Sequence, residues 1–413
     1  MVERVKTPVQ FRNRCVSCGH EFSGMFQPRC DGRGQMIDIE YDLSRAQLAD
    51  SSNPYIRFAD LLPVHNPALL PTHMAYTPLV HAERLGELLG LEHLYLKNET
   101  VLPTRSTKDR MAAIALPYLW EHGVRAFVTS STGNSSTAFA QALDRFPGMA
   151  MCLVTSSRFT DRVKARSSER LRNIVLESAT FVEASDFCSK LAHADGYTTE
   201  AGFFNPARRE GLKLAWLETT DQAPVPITWY VQAVSSAMGV YGVYKGGKEL
   251  TAMGKTKAPP RLLCVQQSSC APMVRAWQAG SDSIADELVV SNPSGIAMAI
   301  LRGNPRRSFP YIRRIVQESN GHMECVSETE IREATDMVQR LEGIQVCFSS
   351  GAAVAGLIKA VDAGDVPRNE AVVVNLTGAE RDDNGIAGPV EWLTRNANGW
   401  EPLEGVFTAH DNG

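Results

Sequence analysis

The stretch Leu102-Pro103-Thr104-Arg105-Ser106-Thr107-Lys108-Asp109-Arg110 decides how the rest of the chain is read. Ahead of it, Leu94-Tyr95-Leu96-Lys97 alternates as a short strand does, and behind it Met111 to Trp120 is an apolar run of helical length. Ser106 is placed to cap that helix. Asp109 falls in its first turn, where a carboxylate suits the positive end of the helix dipole. A lysine in the same turn is electrostatically out of place. Lys108 is therefore a candidate for chemistry, because a buried lysine has a lowered pKa and forms Schiff bases. Taken alone, a solvated surface lysine is the better explanation.

Composition bounds what the chain can be. Its 413 residues are enough for more than one core, so two lobes are expected. A 44% hydrophobic and 21% charged composition is that of an ordinary globular protein. A net charge of −4 argues against general nucleic-acid binding, which calls for a basic excess. No apolar run reaches the ~18 residues of a membrane span, and the residues after Met1 lack the apolar centre of a signal peptide. Nine scattered cysteines read as reduced thiols rather than a disulfide framework. A cytoplasmic location is expected.

The Lys108 stretch resembles the Asn-Pro-Thr-Gly-Ser-Phe-Lys-Asp-Arg motif of threonine synthase and its relatives, the fold-type II pyridoxal phosphate (PLP) enzymes. The resemblance implies that Lys108 carries PLP as a Schiff base. Arg105 stands where the family has glycine, and Thr107 where it has phenylalanine. Both positions lie beside the cofactor in the family, so Arg105, Ser106 and Thr107 are expected on the substrate side of the site. Arg105 is expected to bind the leaving phosphate or the incoming anionic nucleophile, unless its side chain turns outward to solvent.

Taken from the start, the chain offers Cys15-Val16-Ser17-Cys18-Gly19-His20 and then Cys30-Asp31-Gly32-Arg33. A structural zinc ribbon needs four ligands, and Arg33 holds the place of the fourth cysteine. Family members often begin with such a ribbon followed by Tyr-Asp, which Tyr41-Asp42 matches. His20 offers a substitute ligand, but a decayed ribbon packed on the main body, with no metal, is the expectation. The proline-rich segment from Ala46 to Pro78 then crosses to the catalytic body, and a helix ends near Gly90.

Arg125 to Thr129 reads as a buried strand, followed by Ser130-Ser131-Thr132-Gly133-Asn134-Ser135-Ser136 and helical spacing from Thr137 to Leu143. Such a loop turns backbone N–H groups, a helix N-terminus and hydroxyls toward one point, as a carboxylate requires. It resembles the family's Ser-Thr-Gly-Asn-Thr loop. The resemblance places Asn134 on the ring hydroxyl of PLP, and Ser131, Thr132 and Ser135 on the substrate carboxylate. Met151 to Thr155 reads as a strand, Asp161 to Arg172 as a charged helix, and Thr180 to Glu183 as a strand. The alternation argues for a parallel sheet covered by helices. Asn205-Pro206-Ala207-Arg208-Arg209-Glu210-Gly211-Leu212-Lys213 resembles the family's Asn-Pro-x-Arg-x-x-Gly-x-Lys. Either Arg208 or Lys213 can face a ligand phosphate, or both can belong to a capped, solvated helix.

Thr228 to Val234 reads as an apolar strand running into Ser235-Ser236-Ala237-Met238-Gly239 and a further helix. A strand–loop–helix unit gathers N–H groups around a phosphate. In the family this loop is the PLP phosphate cup, which assigns cofactor contacts to Val234, Ser235, Ser236, Ala237, Met238 and Gly239. The family's loop is richer in glycine. Gln232-Ala233-Val234 resembles the archaeal cysteate synthases, a branch of the same family. Cys270 has no base placed beside it and reads as a structural thiol. Ser327 and Glu330 form a capping box. Ser349-Ser350-Gly351-Ala352-Ala353 lies where the family has Glu-Pro-x-Ser-Ala-Ala, with Cys347 and Phe348 replacing its Glu-Pro. Ala371 to Leu376 reads as the last buried strand. Thr377 then matches the family residue that meets the pyridine nitrogen, where a neutral hydroxyl favours elimination and replacement.

The expected fold is α/β, fold-type II, with two open twisted parallel-sheet lobes and PLP between them. The expected division is a ribbon-like segment over 1–45, a large domain over 46–108 and 206–413, and a small domain over 109–205. The resemblance implies β-replacement on O-phospho-L-serine. Phosphate leaves through an aminoacrylate, and a small nucleophile such as sulfite adds, as in cysteate synthase. The alternatives are a threonine synthase acting on O-phosphohomoserine and a PLP-binding regulatory protein without turnover. A homodimer is expected, with no nucleic-acid or membrane partner.

Overall fold

The strands predicted around the Lys108 and Thr377 stretches pair with each other directly. The computed structural model describes residues 10–31, 34–397 and 399–403. Its larger sheet runs His322–Val326, Arg261–Gln267, Trp229–Ala233, Ala371–Leu376, His93–Asn98 and Leu79–His81. All pairs are parallel except the last, an antiparallel edge. Trp229–Ala233 and Ala371–Leu376 are buried along their whole length, as strands covered on both faces must be. The two-residue period sorts their side chains. Val231, Leu263, Val372 and Val374 pack with the helix Phe348–Asp362 in one core, while Tyr230, Leu262, Cys264 and Val373 join the other.

The smaller sheet runs Thr198–Thr199, Ala126–Ser130, Ala150–Ser156, Leu171–Leu176, Glu391–Asn396 and Gly399–Pro402. Two local expectations fail here. The segment expected as a helix from Asp161 to Arg172 is a 3-10 turn, the short strand Lys164–Arg166, and the start of the buried strand Leu171–Leu176. Thr180 to Glu183 is not a strand but the start of the helix Phe181–Asp195. The Thr180 hydroxyl accepts the Glu183 N–H at 3.2 Å, and the Glu183 carboxylate accepts the Thr180 N–H at 2.7 Å. That capping box was legible in Thr-x-x-Glu. The other capping box, at Ser327 and Glu330, forms as expected.

The expected division of the chain also changes. Glu391–Asn396 returns to pair in parallel with Leu171–Leu176, so the chain end assigned to the large domain completes the small one. The reason is an edge. Leu171–Leu176 is almost wholly buried and would otherwise leave a row of unpaired backbone groups. Arg172 clamps the returning strand through a two-pronged bond to Glu391 at 2.6 and 2.8 Å.

Glu21–Phe22, Phe11–Cys15 and Ile37–Tyr41 form a small antiparallel sheet. Ile37 and Ile39 are fully buried against the body. The Tyr41 hydroxyl donates to Glu210 at 2.8 Å, and Arg209 donates to the Ile37 carbonyl at 2.6 Å. The helices Lys108–Glu121, Pro206–Gln222 and Met238–Ala252 cross closely at two glycines. A Cβ on Gly211 would stand 2.3 Å from the Arg110 carbonyl oxygen, and one on Gly242 would stand 2.2 Å from that of Arg209. Gly211 of the Asn-Pro motif is therefore a packing residue.

Candidate functional site

Lys108 opens its helix, and backbone pairing brings its segment to the end of the central strand Ala371–Leu376. Thr107 N–H donates to the Thr377 carbonyl at 2.9 Å, and Ala379 N–H to the Arg105 carbonyl at 2.9 Å. Ser106 does not supply the cap as expected. Thr107 holds that position, and the Ser106 hydroxyl accepts the Lys108 N–H at 3.3 Å. Asp109 turns back to accept from the Thr104 N–H at 2.7 Å and the Thr104 hydroxyl at 2.6 Å. Burial pushes its carboxyl up to about 6.

Behind this loop lies a buried ionic cluster. Arg110 pairs with Glu99 at 2.7 Å and Glu218 at 2.5 Å, and Lys97 with Glu218 at 2.7 Å. The cluster anchors the turn on which Lys108 sits. Lys108 itself is half-buried. Burial, aided by the nearby Arg208 guanidinium, draws its pKa down to about 8.

Across from it, Ser131, Thr132, Gly133, Asn134 and Ser135 form the turn into the helix Asn134–Ala142. The Ser131 hydroxyl accepts the Gly133 and Ser136 N–H groups at 3.1 and 3.3 Å, so it shapes the loop from within. Thr132, Asn134 and Ser135 are partly exposed. Arg208 lies beside this loop, bonded to Ser135 at 3.4 Å and ion-paired with the buried Glu200. Lys213 does not face a ligand. It is buried between Glu210 at 2.5 Å and Glu249 at 2.7 Å, where it secures helix packing.

The predicted phosphate cup stands at the N-terminus of the 15-residue helix Met238–Ala252. Ala237 holds a left-handed backbone, φ 60°, the conformation a glycine adopts without cost. A Cβ on Gly239 would lie 2.8 Å from the Gln232 side-chain nitrogen, which explains glycine there. Val234 and Ser236 are buried, while Ser235 and Met238 are partly open. Gln232 is fixed in turn by the Tyr230 hydroxyl at 2.8 Å.

At the strand end, the Ser350 hydroxyl donates to the Gly378 carbonyl at 2.9 Å, and Cys347 N–H donates to the same oxygen at 3.0 Å. Thr377 is partly exposed beside this knot. The donor set fits PLP: a lysine of lowered pKa, an asparagine, a helix N-terminus with two hydroxyls for a phosphate, and a neutral hydroxyl at the strand end.

Arg105 departs from expectation. Its backbone also takes the left-handed conformation, φ 54°, which accounts for the family's glycine. The residue lines a cleft of about 380 Å³ with Asp336, Glu380 and Asp382. Three carboxylates line the same cleft, which weighs against a phosphate beside Arg105. Arg381, which no motif singled out, reaches the site instead. It donates to Asn134 Oδ1 at 2.9 Å and to the Thr104 carbonyl at 3.0 Å.

Two further cysteine expectations concern the periphery. Cys270 is buried and its thiol pushed up to about 11, consistent with a structural role. The sulfurs of Cys15, Cys18 and Cys30 lie within 4.8 Å of one another, three of the four ligands a structural zinc takes. His20 is not among them. Arg33 lies outside the described residues.

Comparison with known proteins places this chain in a family. A family model described as pyridoxal-phosphate dependent enzyme matches residues 70–378. Threonine synthase of Methanosarcina acetivorans is 31% identical over 376 residues, 88% of this chain and 90% of that one. Cysteate synthase of Methanosarcina mazei is 28% identical over 389 residues, 89% and 92% of the two chains. Among solved structures, maize serine racemase superposes with a TM-score of 0.60 at 18% identity, covering 74% of this chain and 89% of that one. Processed threonine deaminase isoform 2 of Solanum lycopersicum gives 0.59 at 19%, covering 74% and 84%. At those identities the structures speak for the fold, which is the expected two-lobed α/β arrangement. The family match spans most of the chain, and on that ground this protein belongs to the pyridoxal-phosphate dependent enzyme family.

Proposed function

We propose that the enzyme catalyses β-replacement on O-phospho-L-serine, expelling phosphate and adding a small nucleophile such as sulfite. The coarser statement, a PLP-dependent enzyme resembling threonine and cysteate synthases, follows from its relatives. The observation that carries the reaction type is Thr377, whose backbone is bonded to the Lys108 segment. Bound PLP supplies an electron sink that acidifies the substrate α-carbon and lets a β-substituent depart. A hydroxyl at the pyridine position, unlike a carboxylate, leaves that sink weak. This favours departure of phosphate over chemistry that needs a long-lived carbanion.

The chain's own residues divide the remaining work. Lys108, with its amine drawn down to about 8, is suited to take the α-proton and later return it. The N–H groups and hydroxyls of Thr132 and Ser135 receive the substrate carboxylate, with Arg208 adding positive charge beside them. Ser235 to Gly239 receive the cofactor phosphate at the helix start. The second reading, elimination from Cγ of O-phosphohomoserine followed by water addition, uses the same residues. It is favoured by the threonine synthase relative.

The test is incubation of holoenzyme with each phosphorylated amino acid, with and without sulfite, measuring phosphate release and products by mass spectrometry. Cysteate from phosphoserine supports the first reading. Threonine from phosphohomoserine, with phosphoserine untouched, replaces it by the second.

A further inference from the structure

Arg381 lies five residues beyond the last strand of the larger sheet, and it binds three walls of the site at once. Its Nε donates to Asn384 Oδ1 at 2.8 Å. One terminal nitrogen donates to both the Thr104 carbonyl at 3.0 Å and Asn134 Oδ1 at 2.9 Å. The other donates to the Arg162 carbonyl at 2.7 Å. Thr104 belongs to the turn that presents Lys108, where Asp109 holds it. Asn134 begins the helix across the cleft. The Arg162 carbonyl lies under Gly133, only 2.5 Å from where a Cβ would stand. With four of five N–H groups committed to protein oxygens, this guanidinium has little left for a substrate anion.

Its effect on Asn134 is specific. Guanidinium carries donors and no acceptor, so an amide facing it must present oxygen. Asn134 is thereby held with Oδ1 on Arg381, and its amide nitrogen donates to nothing among the described residues. We propose that Arg381 is a positioning residue that sets the amide orientation of Asn134, so that its nitrogen, not its oxygen, meets the ring oxygen of bound PLP. This rests on the reading of Asn134 as the residue at that ring oxygen. Without Arg381 the amide is free to turn over. The reversed orientation would set two oxygens, one of them carrying negative charge, against each other. A donor at the ring oxygen also shapes the charge distribution of the ring, so the orientation is visible in the absorbance.

The experiment is PLP titration of apo-enzyme, followed by absorbance, on Asn134→Ala, Arg381→Met and the double variant. Each single variant is expected to weaken PLP binding by about tenfold, the scale of a charge-assisted hydrogen bond, and to move the absorbance maximum. In the Asn134→Ala background, Arg381→Met should cost less than about a further twofold, because the two residues act as a unit. Losses that multiply in the double variant overturn the proposal, since Arg381 would then act elsewhere. Unchanged affinity and spectrum in Asn134→Ala sink the underlying reading of Asn134 instead. Should Arg381→Met fail to fold, Arg381→Gln serves in the same cycle: its amide carries an acceptor as well as donors, so it no longer compels Asn134 to present oxygen. Asn134→Asp provides a control on stability. A carboxylate keeps the bond to Arg381 but offers no donor, so apo-enzyme should melt no lower while PLP binding falls. Undiminished PLP binding in Asn134→Asp also counts against the proposal.

Discussion

Thr107 and Thr377 are joined by a backbone hydrogen bond of 2.9 Å, which places the start of the Lys108 helix against the end of the central strand of the larger sheet. The residue proposed to hold PLP and the residue proposed at its ring nitrogen are thus 269 positions apart in sequence, from 377 − 108, and their segments are neighbours in space. Their relative position does not depend on flexible side chains. It is set by the main chain, which is how a site keeps the geometry that catalysis needs.

The lowered pKa of Lys108 gives the first prediction. The neutral amine is the form that attacks a carbonyl. The rate at which apo-enzyme links covalently to added PLP should rise with pH and level off above about 8. Stopped-flow absorbance across pH 6 to about 10.5 reads it, the upper end being the ordinary lysine range. A rate still climbing at the top of that range would mean that the amine is solvated and burial does not tune it. Lys108→Ala should show no borohydride-reducible linkage.

Thr377→Asp should protonate the ring nitrogen and strengthen the electron sink. The expected outcome is a shifted spectrum and a new transamination side product, detected as the keto acid. Since the Thr107 bond uses the carbonyl of residue 377, it survives the substitution, and cofactor content should hold. An unchanged spectrum and product ratio would show that another group meets the nitrogen.

Arg105→Gly separates a backbone role from an anion-binding role. The left-handed backbone costs a non-glycine residue about 1–2 kcal/mol. Glycine removes that cost while adding about 0.5–1 kcal/mol of unfolded-state entropy. The variant should therefore melt at or slightly above the parent temperature, with kcat/KM for the phosphorylated substrate within about twofold. A loss equivalent to about 1.5–3 kcal/mol would restore the anion contact that the acidic cleft argues against.

The ionic cluster under Lys108 should be costly to break. Glu218 binds both Arg110 and Lys97, and all three are fully buried. Glu218→Ala leaves two buried cations short of a partner, and about 3–5 kcal/mol of stability should be lost, read by denaturant melts. Acid probes the same cluster. Burial alone would raise the Glu99 pKa, but the Arg110 guanidinium outweighs it and holds the carboxyl below its ordinary value of 4.5. The stabilisation is complete above that ordinary value and fades as pH falls through the lower folded value. A stability curve flat through that acid range would remove Glu99 from the account.

Much of the candidate site's local structure was readable because its parts are local. Lys108, Asn134 and Gly239 each sit where a strand turns into a helix, and short-range chemistry specifies such turns: small residues, hydroxyls, and a glycine where a Cβ would collide. The same holds for the buried strands that pair in the larger sheet. Local reading failed between Asp161 and Glu183, where Leu171–Leu176 is a buried strand with no helical stripe and Thr180-x-x-Glu183 is a capping box that opens the next helix. It also failed for Lys213, because a lysine looks alike in solvent and between Glu210 and Glu249 until those two carboxylates are placed.

By itself the chain's order of residues determined the α/β class, the strand-to-helix turns and the lysine, asparagine and threonine set proposed for PLP. Each of these follows from the conformational and hydrogen-bonding preferences of a few neighbouring residues. Only the tertiary structure decided that the strand Glu391–Asn396 completes the smaller sheet, that Arg105 shares a cleft with three acidic residues, and that Arg381 bridges Thr104, Asn134 and Arg162. Those outcomes depend on which distant edges and charges must be satisfied once two sheets have formed. No local pattern records such a requirement, because the unpaired strand edge or the juxtaposed amide oxygen exists only after folding.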